Sequence, residues 1–488
     1  MKLCCIGHTY KYETEKICRL FLPFEKIEVV DTVLDGDDVA VTKIDGVNIY
    51  CSLMLGGSFF EKTEDLDGDF DDREAERRIA ALLFLCFSQI TGYKSRWGIV
   101  TGIRPARLYA SVLRETGSDT AAKEYFKNKF YVDEEKISLC SKTYKSEEDI
   151  INLSKDNSFS LYISVPFCPT RCSYCSFVSH AVEKAEKLIP VYVDYLCKEI
   201  EETAKIAKEC NLRLETIYMG GGTPTTLSDK QLERVLTLVR KVFDLSSLRE
   251  FTVEAGRPDT ITENKLLALK NCGVDRISIN PQTMCDSVLQ KIGRAHTSEM
   301  MVEAFNMARK TGFDNINTDL IAGLPGDTFE TFKDTVHKIL ELDPESITVH
   351  ALSLKRSSRM NISGELPEIE AGKTADKMVT FAHDILRDNE ILPYYMYRQS
   401  KTVGNLENVG YAKKGRECLY NVYIMDETHT ILACGASAVT KMRQPGGDYI
   451  ERIFNFKYPY EYINRFDELM ARKEGIKEFY RKYPHSRV

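Results

Sequence analysis

From about Ser160 onward, short apolar runs rich in β-branched residues alternate six times with longer stretches in which apolar residues recur at helical spacing. The runs predict strands at Leu161 to Phe167, Thr216 to Met219, Glu250 to Glu254, Arg276 to Asn280, Asn315 to Ile321 and Ser346 to Leu352. The intervening pattern predicts helices at Lys184 to Cys210, Asp229 to Val242, Glu263 to Leu269, Glu299 to Lys310 and Phe329 to Leu342. Gly273 and Gly312 stand where helix C-caps belong. Strands separated by helices make a parallel sheet, so the fold class is α/β. Six β/α units give a partial (β/α)6 barrel, open along one side.

Residues 1–150 show β-like runs at Ile27 to Val33 and Val39 to Leu55 and a helix from about Arg73 to Ile90, which together predict a separate N-terminal α+β domain. The acidic stretch Glu61 to Asp72 reads as a solvated loop that caps this helix. The barrel is expected over 151–355. Beyond it, a helix from Ala371 to Asp388, strand-like runs at Tyr394 to Arg398, Tyr420 to Met425 and Thr430 to Cys434, and an amphipathic helix from Tyr460 to Arg472 predict a C-terminal α+β cap over 356–488.

Charge changes this picture little. In 488 residues, 66 Lys and Arg stand against 73 Asp and Glu, a formal charge of −7, so no bulk electrostatic pull toward nucleic acid exists. The Met1 start shows no basic segment followed by an apolar one, and no run approaches the roughly 20 apolar residues of a membrane span. A cytoplasmic protein is expected. The 15 cysteines then read as free or metal-bound thiols. Cys4, Cys5, Cys18, Cys51 and Cys86 sit in apolar surroundings as small core residues.

Three cysteines differ. Cys168, Cys172 and Cys175 form a C-x3-C-x2-C run on the loop that follows the first barrel strand. Structural zinc takes four ligands in paired spacings, and His180 does not complete such a pattern. A 4Fe–4S cluster normally takes four cysteines, so three leave one iron open to an exchangeable ligand.

Barrel active sites sit at the C-terminal ends of the strands, and polar residues recur there. Gly220-Gly-Gly-Thr-Pro-Thr225 ends strand two, where missing side chains allow close approach to backbone N–H groups. Glu254 closes strand three, Gln282 follows strand four and Asp319 interrupts a buried run in strand five, so each carboxylate needs donors. Arg294 offers a planar fork suited to a carboxylate.

Together these features resemble the radical S-adenosylmethionine (SAM) superfamily. Tyr162, Tyr174, Gly220 to Thr225, Gln282, Arg294 and Asp319 in Thr-Asp-Leu-Ile-Ala-Gly-Leu-Pro-Gly narrow the resemblance to the oxygen-independent coproporphyrinogen III oxidases (dehydrogenases). Gly98-Ile-Val-Thr-Gly-Ile-Arg-Pro105, Tyr397-Arg-Gln, Gly404-Asn-Leu-Glu-Asn-Val-Gly-Tyr411 and Gly435-Ala-Ser-Ala438 are most similar to the HemZ-type branch. The resemblance implies a 4Fe–4S cluster on Cys168, Cys172 and Cys175. It implies a SAM contacted by Tyr162, Tyr174, Gly221 and Glu254, and a second SAM at Gly222, Thr223, Gln282, Arg294 and Asp319. The cysteines and Tyr162 are thereby the expected catalytic residues. The implied partners are a tetrapyrrole substrate or haem and an electron donor such as flavodoxin or ferredoxin.

The pattern departs from the family at three places. Phe177 replaces the dehydrogenases' fourth cysteine, as in the related haem chaperones; Ser164 replaces a usual histidine; and Asn280-Pro281 replaces Gly-Val. The expected function is a coproporphyrinogen III dehydrogenase, favoured by the N-terminal extension and the HemZ-like tail, with a haem-binding chaperone, to which Phe177 points, and a radical SAM methyltransferase that opens haem as the alternatives.

Overall fold

The computed structural model describes residues 1–32, 36–66, 70–175, 179–353, 369–399 and 401–485. They form two compact units, one of Met1–Lys142 with Arg398–Lys401, the other of Thr143–Tyr397 with Thr402–Val488.

The first unit is α+β. Strands β1 (Lys2–Ile6), β2 (Glu28–Val30), β3 (Val39–Asp45), β4 (Asn48–Leu55) and β5 (Ser58–Asp65) form one sheet in the order β2-β1-β3-β4-β5. The expected single run from Val39 to Leu55 is in fact a hairpin, β3 antiparallel to β4, because Gly46-Val47 turns the chain with Gly46 at φ 61°. The acidic stretch also departs from the loop expected there. Glu61 to Asp65 lie in β5, which pairs in register with β4, while Asp71 does cap the helix Asp72–Thr91 by accepting from the Glu74 N–H. Leu53, Cys51, Ile79, Leu83 and Phe84 are buried together between the sheet and that helix, so Cys51 serves as a core residue.

The second unit carries six parallel strands in chain order: β6 (Ser158–Val165), β7 (Arg213–Gly221), β8 (Glu250–Gly256), β9 (Arg276–Ile279), β10 (Ile316–Ala322) and β11 (Ser346–Ala351). Each is almost wholly buried, as strands covered on both faces must be. Helices Asp229–Val242, Glu263–Asn271, Ser298–Lys310 and Phe329–Glu341 fall within one or two residues of expectation. Their ends were legible because Ser228, Thr262, Thr297 and Thr328 each cap an N-terminus. This is the partial (β/α)6 architecture that the hydrophobic pattern predicts.

The stretch expected as a cap adds strands to the same sheet. After β12 (Leu392–Arg398), β13 (Glu407–Ala412) pairs antiparallel with β11, and β12 lies beyond it. At the opposite edge, β14 (Thr430–Cys434) runs parallel to β6 and is followed by antiparallel β15 (Val439–Arg443) and β16 (Ile450–Phe454). The aromatic run Tyr420 to Met425, expected as a strand, is a helix, Leu419–Asp426. Tertiary contact overrides propensity here: buried Glu250 accepts from the backbone N–H of Leu419 (2.7 Å) and Tyr420 (3.3 Å), so a carboxylate neutralises the helix N-terminus.

The edge beside β6 is locked by a buried ion pair. Glu199 and Lys473, both essentially inaccessible to solvent, meet at 2.8 Å. Glu199 also accepts from the Gly435 N–H (2.6 Å), Asn455 (2.8 Å) and Tyr462 (2.6 Å), and Lys473 donates to Ala433 O (2.8 Å). Removing one partner of a satisfied buried pair strands the other charge, which costs about 3–5 kcal/mol. Lys473→Met is therefore expected to lower the unfolding free energy of the second unit, fitted from its urea transition, by that amount. A loss below about 1 kcal/mol in the fitted unfolding curve contradicts this assignment.

Candidate active site

The end of β6 delivers the cysteine loop. Tyr192 donates to Ser164 O (2.9 Å) and accepts from the Ala436 N–H (2.9 Å), while Ser164 Oγ donates to Ala436 O (2.8 Å). Ser164, one of the departures from the family pattern, thus ties β6 to the loop after β14. Beyond Val165 the glycine-rich segment continues the ladder: the Gly222 N–H donates to Val165 O (2.8 Å) and the Thr223 N–H to Phe167 O (2.7 Å). A Cβ on Gly222 would lie 2.5 Å from Phe167 O, and Gly221 holds φ 106°, so both positions need glycine. The sequence suggested N–H groups left free for a ligand. Instead those of Gly222 and Thr223 hold the chain's own loop, and that of Gly221 faces the Glu254 carboxylate.

The cysteines lie among donors. Thr223 Oγ1 donates to Cys168 Sγ (3.6 Å) and Arg257 Nη1 to Cys172 Sγ (3.9 Å). Cys172 is buried, whereas Cys168 and Cys175 are partly exposed, and the Cys175 N–H donates to Cys172 O (3.2 Å). Burial pushes the Cys168 thiol up, against the hydrogen bonds of Ser179 and Thr223. Two further bonds fasten the loop to the segment after β9: the Ser173 N–H to Ile292 O (3.0 Å) and Thr170 Oγ1 to Gly293 O (3.0 Å). Arg294 donates from Nη2 to Tyr174 Oη (3.1 Å) and from Nη1 to Asn280 O (2.5 Å), and its charge acts on Cys172. Hydroxyl and guanidinium donors on Cys168 and Cys172 suit thiolates that ligate an electron-rich group, although among the described residues no three Cys, His, Asp or Glu side chains are gathered closely enough to hold a metal ion.

A second set of polar groups lines the barrel interior. Glu254 accepts from Tyr218 Oη (2.6 Å); burial, together with the charge of Asp319, pushes its carboxyl up to about 7 despite Tyr218 and the Gly221 N–H. Burial also pushes Asp319 up, but His350, Asn317 and Thr348 more than offset it and hold the carboxyl below its ordinary value. Asn317 Nδ2 lies 2.8 Å from Asp319 Oδ1, and His350 Nε2 lies 3.8 Å from Oδ2. The donors that these carboxylates needed are thus supplied in part by the chain itself.

Gln282 is bolted to the same strand, its N–H donating to Asp319 O (2.9 Å) and its O accepting from the Ile321 N–H (3.0 Å). It adopts φ 70°, and its buried Oε1 has no hydrogen-bond partner. A non-glycine residue at positive φ with an unsatisfied buried acceptor makes Gln282 a candidate for contact with a ligand donor.

Tyr162 lies beside Tyr218 and Tyr420, with ring centroids 6.3 and 6.1 Å away, while Tyr218 and Tyr420 stack at 4.4 Å. Burial and the neighbouring Glu254 raise the Tyr162 phenol, so it stays protonated.

The expected residues therefore gather in two linked sets. Cys168, Cys172, Cys175, Tyr174, Thr223 and Arg294 surround the loop; Tyr162, Glu254, Gln282 and Asp319 line the barrel; Gly221 and Gly222 join the two. Phe177 lies outside the described residues. Sequence reasoning missed Arg257, Tyr218, Tyr420 and His350. Tyr218 shares the inward phase of β7 opposite Tyr162, and Arg257 closely follows Glu254, so both carried a positional signal. Tyr420 carried none, since its place depends on the helix that Glu250 anchors.

The description "Radical SAM superfamily" matches residues 162–339 of the chain. The oxygen-independent coproporphyrinogen-III oxidase-like protein HemZ of Bacillus subtilis is 35% identical over 422 residues, covering 85% of this chain and 84% of HemZ. The haem chaperone HemW of the same species is 40% identical over 194 residues, 40% of this chain and 50% of HemW. The solved structure of coproporphyrinogen III oxidase (HemN) from Escherichia coli, described as a radical SAM enzyme, superposes with TM-score 0.51 at 23% identity, covering 66% of this chain and 72% of HemN; this likeness establishes the fold alone. No helix among the described residues is long and apolar enough to cross a membrane. Radical SAM membership implies a 4Fe–4S cluster and SAM as cofactors, and the donor set of the cysteine loop suits them. With HemZ matched across most of both chains, this chain belongs to the radical SAM superfamily and, within it, to the HemZ-type family of oxygen-independent coproporphyrinogen III oxidase-like proteins.

Proposed function

We propose that the protein is a radical SAM coproporphyrinogen III dehydrogenase, which decarboxylates two propionates oxidatively to vinyl groups and so yields protoporphyrinogen IX in haem biosynthesis. The observation that carries this reading is the polar set in the barrel mouth, where the strained Gln282, Asp319 and Glu254 stand next to the cysteine loop. The choice of dehydrogenase over chaperone rests on reach, because likeness to the coproporphyrinogen-III oxidase-like HemZ runs over 85% of the chain and alignments with HemW over 40 to 62%. Phe177 and the higher local identity to HemW favour haem binding as the second reading.

In this account Cys168, Cys172 and Cys175 hold the cluster, and the bound cluster and SAM together supply one-electron chemistry and a 5′-deoxyadenosyl radical. Tyr162, Tyr174, Gly221 and Glu254 hold that SAM, with Glu254 set against its cationic end. Gln282, Arg294 and Asp319, with Gly222 and Thr223, hold a second SAM. The tyrosine rings and the buried strand ends keep water away from the reacting centre. The donor of electrons is a small redox protein such as flavodoxin or ferredoxin, and the protein works in the cytoplasm, where thiols stay reduced.

The deciding experiment is anaerobic reconstitution followed by SAM, dithionite and coproporphyrinogen III. Vinyl product with 5′-deoxyadenosine supports the dehydrogenase. A stable Soret shift with haem and no turnover supports the chaperone, and loss of the Soret band with SAM consumption supports haem opening.

Replacing Cys168, Cys172 and Cys175 together by alanine is expected to remove iron and sulfide, measured chemically, and to abolish 5′-deoxyadenosine formation. Full iron content in that variant contradicts the assigned ligands. The Glu254 carboxyl, ordinarily near 4.5, is held at about 7 in the fold, so it becomes ionised only as pH rises through neutrality. SAM affinity, measured by equilibrium dialysis, is therefore expected to increase from pH 6 to pH 8. In Glu254→Gln that dependence is expected to flatten, with affinity near the low-pH level of the parent chain.

A further inference from the structure

Arg257 lies just past the end of β8, is 3% exposed and brings its guanidinium against Cys172. Its guanidinium is fixed on every side. Nε and Nη2 donate to the two oxygens of Asp259 at 3.0 and 2.9 Å, a bidentate fork that sets the plane of the group. Nη1 points the other way, into the cysteine loop, donating to Thr170 Oγ1 (2.8 Å), Thr170 O (3.3 Å) and Cys172 Sγ (3.9 Å). The backbone is pinned too, since Thr260 donates to Arg257 O through both its N–H (3.0 Å) and its Oγ1 (2.8 Å). The result is an oriented dipole, positive end on the sulfur and negative end behind it.

A buried cation against a sulfur ligand bears on electron transfer. Net charge and hydrogen bonds to the sulfurs are among the factors that set the potential of an iron–sulfur group, and in a dry site both act at low dielectric. Reduction adds a negative charge, which a nearby cation favours. Lysine keeps the charge but loses the fork, and glutamine keeps a donor but loses the charge.

We propose that Arg257, braced by Asp259, is a positioning residue that holds the cysteine loop and raises the reduction potential of the iron–sulfur group ligated by Cys168, Cys172 and Cys175. The inference rests on the cluster assignment made above. Its test needs no turnover.

Full-length chain is reconstituted anaerobically, assayed for iron and sulfide, and titrated with dithionite while visible bleaching and the electron paramagnetic resonance signal are followed. Arg257→Gln is expected to make the cluster at least tenfold harder to reduce, a fall of 59 mV for a one-electron couple. Arg257→Lys is expected to stay within threefold of the parent. Asp259→Asn removes the countercharge and is expected to shift the equilibrium the opposite way. An Arg257→Gln protein with its full cluster and an unchanged potential overturns the proposal. If that variant holds no iron, Asp259→Asn decides, and an unchanged or lower potential overturns it. A parent chain that takes up no iron and sulfide refutes the cluster assignment itself, a separate outcome.

Discussion

The site depends on one continuation of hydrogen bonding. Parallel pairing between β6 and β7 does not stop where the strands end; it runs on through Gly222 and Thr223 to Val165 and Phe167, one residue short of the first cysteine. That ladder leaves no room for a side chain at Gly222, whose Cβ would meet Phe167 O at 2.5 Å. The glycine-rich segment and the cysteine loop are therefore one object. A residue assigned to SAM and a residue assigned to iron are joined by backbone bonds, so displacement of either moves both.

The two sets of polar groups differ in electrical character, and the difference follows from the strands that carry them. Around the loop the charged neighbours are guanidiniums, Arg257 and Arg294, each anchored by an oxygen acceptor on its far side. Within the barrel stand the carboxylates Glu254 and Asp319, whose mutual repulsion is part of what pushes Glu254 up to about 7 against the opposing charge of buried Arg276. Cation near sulfur and anion near the barrel axis form a field that favours thiolates at one end and a cationic ligand at the other.

Much of this was legible in the sequence, for reasons that particular residues make plain. The six parallel strands announce themselves because continuous apolar runs are what two-sided burial requires, and the capping Ser228 and Thr328 mark helix starts by local chemistry. The cysteine spacing and Asp319 stand out because each places a reactive or costly group where a neutral one would be simpler. Long-range partners were not legible. Tyr420 to Met425 has strand-like composition but becomes helical under the pull of Glu250, some 170 residues away in the chain. Likewise, that 356–488 would lengthen the sheet at both edges depends on pairing with β6 and β11, which no local window contains.

The placement of β14 beside β6 has a consequence for how the molecule is made. β6 emerges early in synthesis, but its outer edge stays bare until Thr430–Cys434 arrives to pair with it and Ala436 arrives to meet Ser164 and Tyr192. An unpaired inner strand is a sticking point for other chains. The support beneath the cysteine loop is thus completed only by a segment 272 residues further along the chain, and a chain cut before residue 430 would leave that edge of β6 unpaired.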